Sequence, residues 1–466
     1  MRIQTKYIFI IILFSFFISI FVSFNYVNKY DKLNSDLDRH KMIKDNIAGD
    51  WNRADELNKL KEEKITNFFY KTKNHKPYLP PRIVALYFSL IKKNIKNKDN
   101  NKLHVFELNN GKYGLLVLQT FFYYYCLFLF SKTLLSRKEN ENIIFFTILF
   151  LSIEPTIMQW HSSFFNESIF FSLQIFILVL FFKINKNKFD YIIIGLICGI
   201  LLLQKSVGVY YVLVILLYLI FTENTEKFKK IIQVFLGYLF VCLLIGYSNY
   251  IRSNNFYFTP LQTKEAMFIY VLPKIYEKKE KISFEEAKIK IISKTRIWIK
   301  ENGVKAKMAD NLFIASYGSE TDRIKLNNFQ QTFVLKEFKE NFFLTSQILI
   351  KKYFHSLLIN PVDVFYFYKY ENYESYYKSE DHQKWLPIRI FYTFIIYSIC
   401  LYGFYTMIKT KKLNKYHFFW ILSGLYFYLL LGWMGWTRYF APVLIYLSLF
   451  FATGINEMIF KKKKLI

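Results

Sequence analysis

Long apolar runs separated by short charged segments dominate the chain. The first run, residues 7–27, follows Arg2 and Lys6 and reaches the roughly 20 residues that a bilayer requires. No small-residue cleavage site follows it, so we predict a retained transmembrane helix. Further runs of spanning quality lie at residues 113–134, 143–158, 168–182, 191–203, 207–221, 231–250, 388–408, 418–431 and 439–460. The pattern predicts an all-α polytopic membrane protein with about ten transmembrane helices.

The loops between these runs alternate in their content of lysine and arginine. Cytoplasmic loops carry the excess of these residues in membrane proteins. The loops at residues 159–166 and 432–437 contain neither. The alternation therefore predicts that both termini are cytoplasmic and that two long segments are extracytoplasmic. The basic segments are residues 132–138, 183–188, 227–230, 409–415 and 461–464.

Five regions follow from this topology. We predict a first transmembrane helix (1–27), a first outer loop (28–112), a helix bundle (113–250), a second outer loop that forms a small folded cap (251–387), and C-terminal helices with a basic tail (388–466). Residues 79–91 are apolar but too short to cross a membrane. Because they contain Arg82 and precede a lysine-rich stretch, we predict a helix that lies in the outer interface. The second outer loop also contains an amphipathic stretch at residues 284–298.

Composition narrows the class of protein. The 466 residues are 53% hydrophobic and carry a formal net charge of +28. So much apolar content excludes intrinsic disorder. The lysines lie between apolar runs rather than on one soluble face, which argues against a nucleic-acid partner. All four cysteines fall within apolar runs, so we expect neither disulfides nor a thiolate zinc site. We predict an integral protein of a bacterial inner membrane, in contact with its lipids.

A few ionisable residues fall at one level of this predicted topology. Glu154, Glu167, Lys205 and Arg438 lie near the outer ends of their helices, and Asp50 lies in the first outer loop. Charged groups inside a membrane are costly, which makes their position informative. Lysine and arginine suit phosphate, and a carboxylate in a partly dry cleft can take a proton from a hydroxyl. The cluster predicts a site for an anionic lipid headgroup and a polar acceptor, although Glu154 and Glu167 could equally pair with a cation for packing.

The order of several short motifs resembles a known family. Residues 48–57 (AGDWNRADEL) and 77–81 (PYLPP) resemble the opening of the GT-C class of membrane glycosyltransferases, in the branch of protein mannosyltransferases and aminoarabinose transferases. Later segments are similar in the same order. They are Pro155 with residues 166–168 (NES), residues 195–205 (ending LQK), residues 249–260 (NYIR to FTP) and residues 438–442 (RYFAP).

The resemblance implies transfer of a sugar, hexose or pentose, from a polyprenyl-phosphate carrier to a lipid, glycan or protein acceptor of the cell envelope. It implies that Asp50 is the catalytic base and that the reaction is a single displacement with inversion. Glu167 would orient the acceptor or its neighbours. The departing phosphate would be neutralised by Lys205, Arg438, Arg82 and Arg252.

Two points of this assignment stay open. Family members often have an acidic pair in the first loop, whereas Trp51 follows Asp50 here, so Asp45 and Asp55 are alternative bases. The family also leaves use of a divalent metal open. We assign no metal ligands, because His40, His75 and His161 lack the spacing of a metal site.

Other functions fit parts of the pattern. A transporter or lipid flippase would also be polytopic, but transporters tend to have internal repeats and charge near the membrane midplane, and neither is found in this sequence. A polymerase or ligase of lipid-linked oligosaccharides would share the lipid-linked substrate and a large outer loop. The ordered motifs favour the glycosyltransferase. The sequence does not predict the oligomeric state.

Overall fold

A computed structural model describes residues 5–33, 83, 111–162, 167–187, 189–222, 226–259, 265–308, 312, 314–359, 380–432 and 440–460. The helices of the apolar part are α1 (Thr5–Leu33), α2 (Gly111–Ser136), α3 (Glu141–Ile153), α4 (Pro155–Met158), α5 (Glu167–Phe182), α6 (Asp190–Gln204), α7 (Tyr211–Thr222) and α8 (Lys227–Ser253). The middle of the chain forms α9 (Ala266–Tyr270), α10 (Leu272–Glu280), α11 (Phe284–Glu301), strands β1 (Ala306–Met308) and β2 (Ile314–Tyr317), α12 (Glu320–Glu340) and α13 (Phe342–Ser356). Three more helices follow, α14 (Glu380–Lys409), α15 (Lys415–Leu431) and α16 (Ala441–Phe460).

The predicted helical membrane protein is confirmed in outline, but not the count of about ten spans. Five helices of the described chain are long and apolar enough to cross a membrane, or six if α3 and α4 with its following turn form one broken span bent by 45°. The other predicted spans correspond to α5, α6, α7 and α15, which are 12 to 17 residues long. α5 is buried along almost its whole length. A helix enclosed by protein need not match the thickness of the bilayer. The apolar pattern alone does not show that a helix is enclosed.

The relative directions of the packed helices show which helix ends lie together at each end of the bundle. α5 and α6 are antiparallel neighbours, whereas α2 runs parallel to α5, because Gln119 contacts Ser168 near one end and Arg137 contacts Phe182 near the other. Glu167 therefore marks one end of the bundle, which we call the Glu167 end. The opposite end, where α2 and α5 terminate and α6, α8 and α15 begin, is called the basic end. α5 separates the two ends by about 24 Å.

Two glycines allow α6 and α8 to approach each other closely. A Cβ atom on Gly195 would lie 2.1 Å from the carbonyl oxygen of Val234, and one on Gly237 would lie 2.2 Å from that of Ile192. Small residues at such crossings let helix backbones meet, which in a membrane replaces the hydrophobic driving force. α6 and α8 run parallel where they meet. The contact therefore helps to fix the position of Gln204, the last residue of α6, and of Lys205, which follows it.

We expect Gly195→Leu to prevent this packing. The obstructing atoms belong to the backbone of α8, so a side chain at position 195 cannot be accommodated by a rotamer change. The cost should reach or exceed the roughly 1–3 kcal/mol typical of overpacked cores. The measurement is the midpoint of thermal unfolding in detergent. Gly424→Ala is the control, because its nearest neighbour, the Tyr446 Cβ, would be 3.3 Å away. Equal midpoints for the two variants would contradict the interpretation.

Residues 265–359 contain a second hydrophobic cluster, separate from the core of the apolar helices. Its members include Phe268, Leu272, Ile291 and Leu326. Strands β1 and β2 form an antiparallel ribbon with Ala306 opposite Tyr317. This ribbon was not predicted. The amphipathic stretch 284–298 lies in α11, which begins with a capping box formed by Ser283 and Glu286. The proposed domain boundaries and the extracytoplasmic placement of this region stay predictions.

Two contacts made by charged side chains join parts of this region. Glu265 accepts a hydrogen bond from the Arg323 guanidinium, and both side chains are almost fully buried. Burial raises the pKa of Glu265, and Arg323 opposes that shift. Lys352 donates to the carbonyl oxygen of Tyr270 at 3.0 Å, which joins α13 to α9. Burial and the nearby Lys274 ammonium lower the pKa of Lys352 to about 8.

Candidate active site

Glu167 and Lys205 come together at the Glu167 end of the bundle. Glu167 is the first residue of α5 and Lys205 directly follows α6, so the antiparallel packing of the two helices brings them side by side. The Lys205 Nζ donates to Glu167 Oε1 at 3.0 Å. The Lys205 side chain is 10% exposed and the Glu167 side chain is 0% exposed. Two buried opposite charges neutralise each other, which reduces the cost of holding either one in a dry environment.

The local backbone directs Lys205 toward this pair. Lys205 has an extended conformation between α6 and a 3₁₀ turn at Ser206–Tyr210. Its ammonium nitrogen lies 5.6 Å from the centroid of the Phe170 ring, one turn into α5. A cation over an aromatic face gains electrostatic stabilisation. The lysine is therefore positioned by both a carboxylate and a ring of the same helix.

A buried polar layer continues from Glu167 across α2. Ser168 Oγ lies 2.8 Å from His161 Nδ1, and Gln119 Nε2 donates to the His161 carbonyl oxygen at 2.8 Å. The Tyr123 ring packs against the His161 ring with 4.4 Å between centroids. His161, which lacks the spacing of a metal site in the sequence, joins a short 3₁₀ turn to α2 and α5 in the described structure.

Glu154 occupies the break between α3 and α4. Its carboxylate accepts hydrogen bonds from the Ile157 amide and the Thr156 hydroxyl, each at 2.9 Å. It also accepts one from the Tyr392 hydroxyl of α14 at 3.1 Å. Glu154 thus caps α4 and joins the broken segment to α14. These contacts favour the packing role that the sequence left open for this residue.

Arg389 is a cation of this region that the sequence reading missed. It lies one turn before Tyr392 on α14, and residues three apart share a helix face. Only 2% of the Arg389 surface is exposed, which is unusual for an arginine. The predicted span at residues 388–408 contains Arg389, to which no role was assigned. The helix actually begins earlier, at Glu380, and continues through Pro387, so Arg389 lies well inside it.

The remaining sequence-derived site residues are not placed by the structure. Asp50, its alternatives Asp45 and Asp55, and both Arg82 and Arg438 lie outside the described residues, as do His40 and His75. Arg252 belongs to α8, but only its backbone is described. Because α8 runs parallel to α6 and continues beyond it, that backbone lies toward the Glu167 end. Within the described part of the chain, no group of three His, Cys, Asp or Glu residues is placed to hold a metal ion.

The helices that build this site also carry a family signature. The family model of dolichyl-phosphate-mannose-protein mannosyltransferases matches residues 115–249. The resemblance to GT-C membrane glycosyltransferases is confirmed. The matched segment is less than a third of the chain, and it contains Glu154, Glu167 and Lys205. It supports an integral membrane glycosyltransferase of GT-C type. Neither the curated proteins nor the solved structures contain a significant match to this chain.

Proposed function

We propose that this chain transfers a sugar from a polyprenyl-phosphate donor to an acceptor at the extracytoplasmic face of a bacterial inner membrane, with inversion at the anomeric carbon. The observation that carries the proposal is the buried Glu167–Lys205 pair within the segment that matches the family model. The pair lies at the end of the bundle opposite the basic loops. If basic loops are cytoplasmic, both chain termini are cytoplasmic and the pair faces the outer leaflet.

The proposed reaction is a single displacement. The acceptor hydroxyl gives its proton to the carboxylate of Asp50 as its oxygen forms a bond to the anomeric carbon. The bond from that carbon to the phosphate oxygen breaks, and its electron pair leaves with the polyprenyl phosphate. Proton removal matters because a neutral hydroxyl is a poor nucleophile. Asp45 and Asp55 are the alternative bases.

Cations at the Glu167 end stabilise the departing phosphate in this scheme. An ammonium group has three N–H donors, so a lysine that donates to a carboxylate can also donate to phosphate. We assign Lys205 this role, with Glu167 holding its position. Arg82, Arg252 and Arg438 are assigned to the same phosphate by the family resemblance. To these we add Arg389, because a buried guanidinium near the bend at Glu154 suits bidentate binding of phosphate.

A transfer assay tests this function. The purified protein is supplied with labelled polyprenyl-phosphate hexose or pentose and with an envelope fraction as acceptor, and incorporated label is measured. We expect transfer from the lipid monophosphate donor and none from a nucleotide sugar. Transfer only from a polyprenyl-diphosphate oligosaccharide would identify a ligase or polymerase. Movement of the intact lipid between leaflets with no sugar released would identify a flippase. Either result would overturn the proposal.

A further inference from the structure

One side of helix α13 packs on the other helices of residues 265–359. It contacts α10 and α12, and Lys352 on this side donates to the Tyr270 carbonyl oxygen of α9. Thr345, two helical turns before Lys352 and therefore on the same side, is buried. The opposite side is the surface that α13 presents to its surroundings.

That opposite side carries large apolar side chains. Phe343 is 83% exposed, Ile350 is 55% exposed and Phe354 is 69% exposed. An α-helix turns by about 100° per residue, so Ile350 and Phe354, each two positions from Lys352, lie nearly opposite it. Phe343 precedes Ile350 by two turns and shares its side. We call these three side chains the apolar stripe. A surface helix normally turns polar residues away from its packed side, so α13 reverses the usual pattern.

The exposed polar residues of α13 lie along a separate line. Gln347, Lys351 and His355 are spaced four residues apart, which places them on one side of the helix next to the apolar stripe. The exposed surface is thus divided lengthwise into an apolar half and a polar half. This division is typical of a helix that lies in the plane of a membrane interface, with its apolar half among acyl chains.

The C-terminal end of α13 is attached to the end of α15. The Tyr353 hydroxyl donates to the Leu429 carbonyl oxygen at 2.5 Å, and the Tyr428 hydroxyl donates to the Tyr353 carbonyl oxygen at 3.3 Å. A Cβ atom on Gly432 would lie 2.3 Å from the Tyr353 ring, so the two elements are in close contact. α15 starts at the basic end, so this contact lies at the Glu167 end of the bundle.

A second attachment joins the segment after α13 to α14. The Tyr397 hydroxyl donates to the Leu357 carbonyl oxygen at 2.7 Å, and the Ile359 amide donates to the Thr393 hydroxyl at 2.9 Å. Thr393 and Tyr397 belong to a helix that is long and apolar enough to span a membrane. Both attachments therefore place α13 beside the bundle, at the level where α15 ends.

The surroundings of these attachments indicate what covers the apolar stripe. Leu429, whose carbonyl oxygen accepts from Tyr353, is more than half exposed, and so are Phe391 and Phe394 of α14. On the helices of a membrane protein, side chains of this kind face lipid. The apolar stripe adjoins this surface, with the packed side of α13 turned away from it. Continuity with the lipid-facing surface favours lipid over a protein partner as the occupant.

We propose that α13 lies in the membrane leaflet at the Glu167 end, with the apolar stripe at the boundary between headgroups and acyl chains. Tyr353 then faces the bundle, and Lys351 lies at the level of the headgroups, where basic side chains are favoured. The helix anchors residues 265–359 to the bilayer beside the Glu167–Lys205 pair. This role does not depend on the proposed sugar transfer.

Spin labels on α13 test the proposal in the whole protein. Single cysteines replace Phe343, Gln347, Ile350, Lys351 and Phe354 in turn, and each variant is labelled with a nitroxide in nanodiscs of phosphatidylethanolamine and phosphatidylglycerol. The native cysteines are buried, and labelling of the unchanged protein gives their background. Oxygen concentrates among acyl chains whereas a nickel chelate stays in water. The ratio of their collision rates with the label therefore reports its depth.

Two reference sites set the scale of this measurement. Leu401→Cys is exposed in the spanning part of α14, and Lys336→Cys is exposed on α12. We expect labels of the apolar stripe to give ratios several-fold above that of Lys336→Cys and below that of Leu401→Cys. Labels at positions 347 and 351 should give lower ratios than the stripe. Unchanged midpoints of thermal unfolding confirm that the variants fold.

Two results would overturn the proposal. Ratios at the apolar stripe equal to that of Lys336→Cys would place α13 in water. Labels at the stripe that are shielded from both oxygen and the nickel chelate would show that protein, such as a second copy of this chain, covers it. Sugar transfer is not measured in this experiment, so neither result bears on the proposed function.

Discussion

A double variant, Glu167→Gln with Lys205→Met, is expected to fold and yet to lose at least about 100-fold in sugar transfer, the scale seen when one stabilising donor to a developing anion is removed. Each single change leaves one charge buried without its counter-charge, which costs about 3–5 kcal/mol. The double change removes both charges and keeps the side-chain volumes. Its midpoint of thermal unfolding should therefore exceed that of either single variant.

The comparison separates a structural ion pair from a catalytic one. If Glu167 and Lys205 only stabilise the contact between α5 and α6, activity should recover together with stability in the double variant. If Lys205 binds the donor phosphate, stability recovers and transfer does not. Lys336→Met is the control for loss of a lysine, because Lys336 is 71% exposed on α12 and pairs with Glu340. Recovery of transfer in the double variant would end the catalytic assignment.

Replacement of Asp50 by asparagine should reduce transfer by about 10²–10⁴-fold, the contribution typical of a general base. Asparagine keeps the size of the side chain but cannot accept the proton of the acceptor hydroxyl. Donor binding should change little, since the residues assigned to the phosphate are unchanged. The measurement is the rate of transfer at saturating donor, with protein amount and membrane insertion held equal.

Asp45→Asn and Asp55→Asn are the matched controls for this experiment. Both positions belong to the same predicted loop as Asp50, and both variants remove the same charge. Neither should approach the loss seen for Asp50→Asn. Full activity in Asp50→Asn with a large loss in one of the other two would transfer the role to that residue. Similar moderate losses in all three would indicate that the charge of the loop matters and that no single carboxylate is the base.

Much of the helical architecture could be predicted from the apolar runs. Each described helix of the transmembrane part corresponds to a run, because sustained apolar sequence has no other stable form in a bilayer. Span length could not be predicted in the same way. α5 is enclosed by other helices and ends after 16 residues, whereas α14 extends past Pro387 into the preceding segment. Enclosure by neighbours depends on packing, which residue periodicity does not encode.

The candidate site shows the same division between sequence and structure. Topology placed Glu167 and Lys205 at one level of the membrane, and the fold brings them into contact. Arg389 was missed because the apolar run at residues 388–408 does not show that this arginine is buried within α14. The alternation of basic loops likewise predicted that the basic segments lie at one end of the bundle. It did not predict that four of them line a single cavity.

The sequence by itself determined that this is a helical membrane protein, which loops are basic, and that Glu167 and Lys205 lie near the end opposite those loops, because hydrophobic length and charge are properties of the chain. Only the tertiary structure decided which charges meet. Which charges meet depends on close helix crossings, such as that of Gly195 with Gly237. These crossings fix how far α6 is shifted along its axis relative to α8. Contacts between residues far apart in sequence follow from such packing, and no local pattern of residues specifies them.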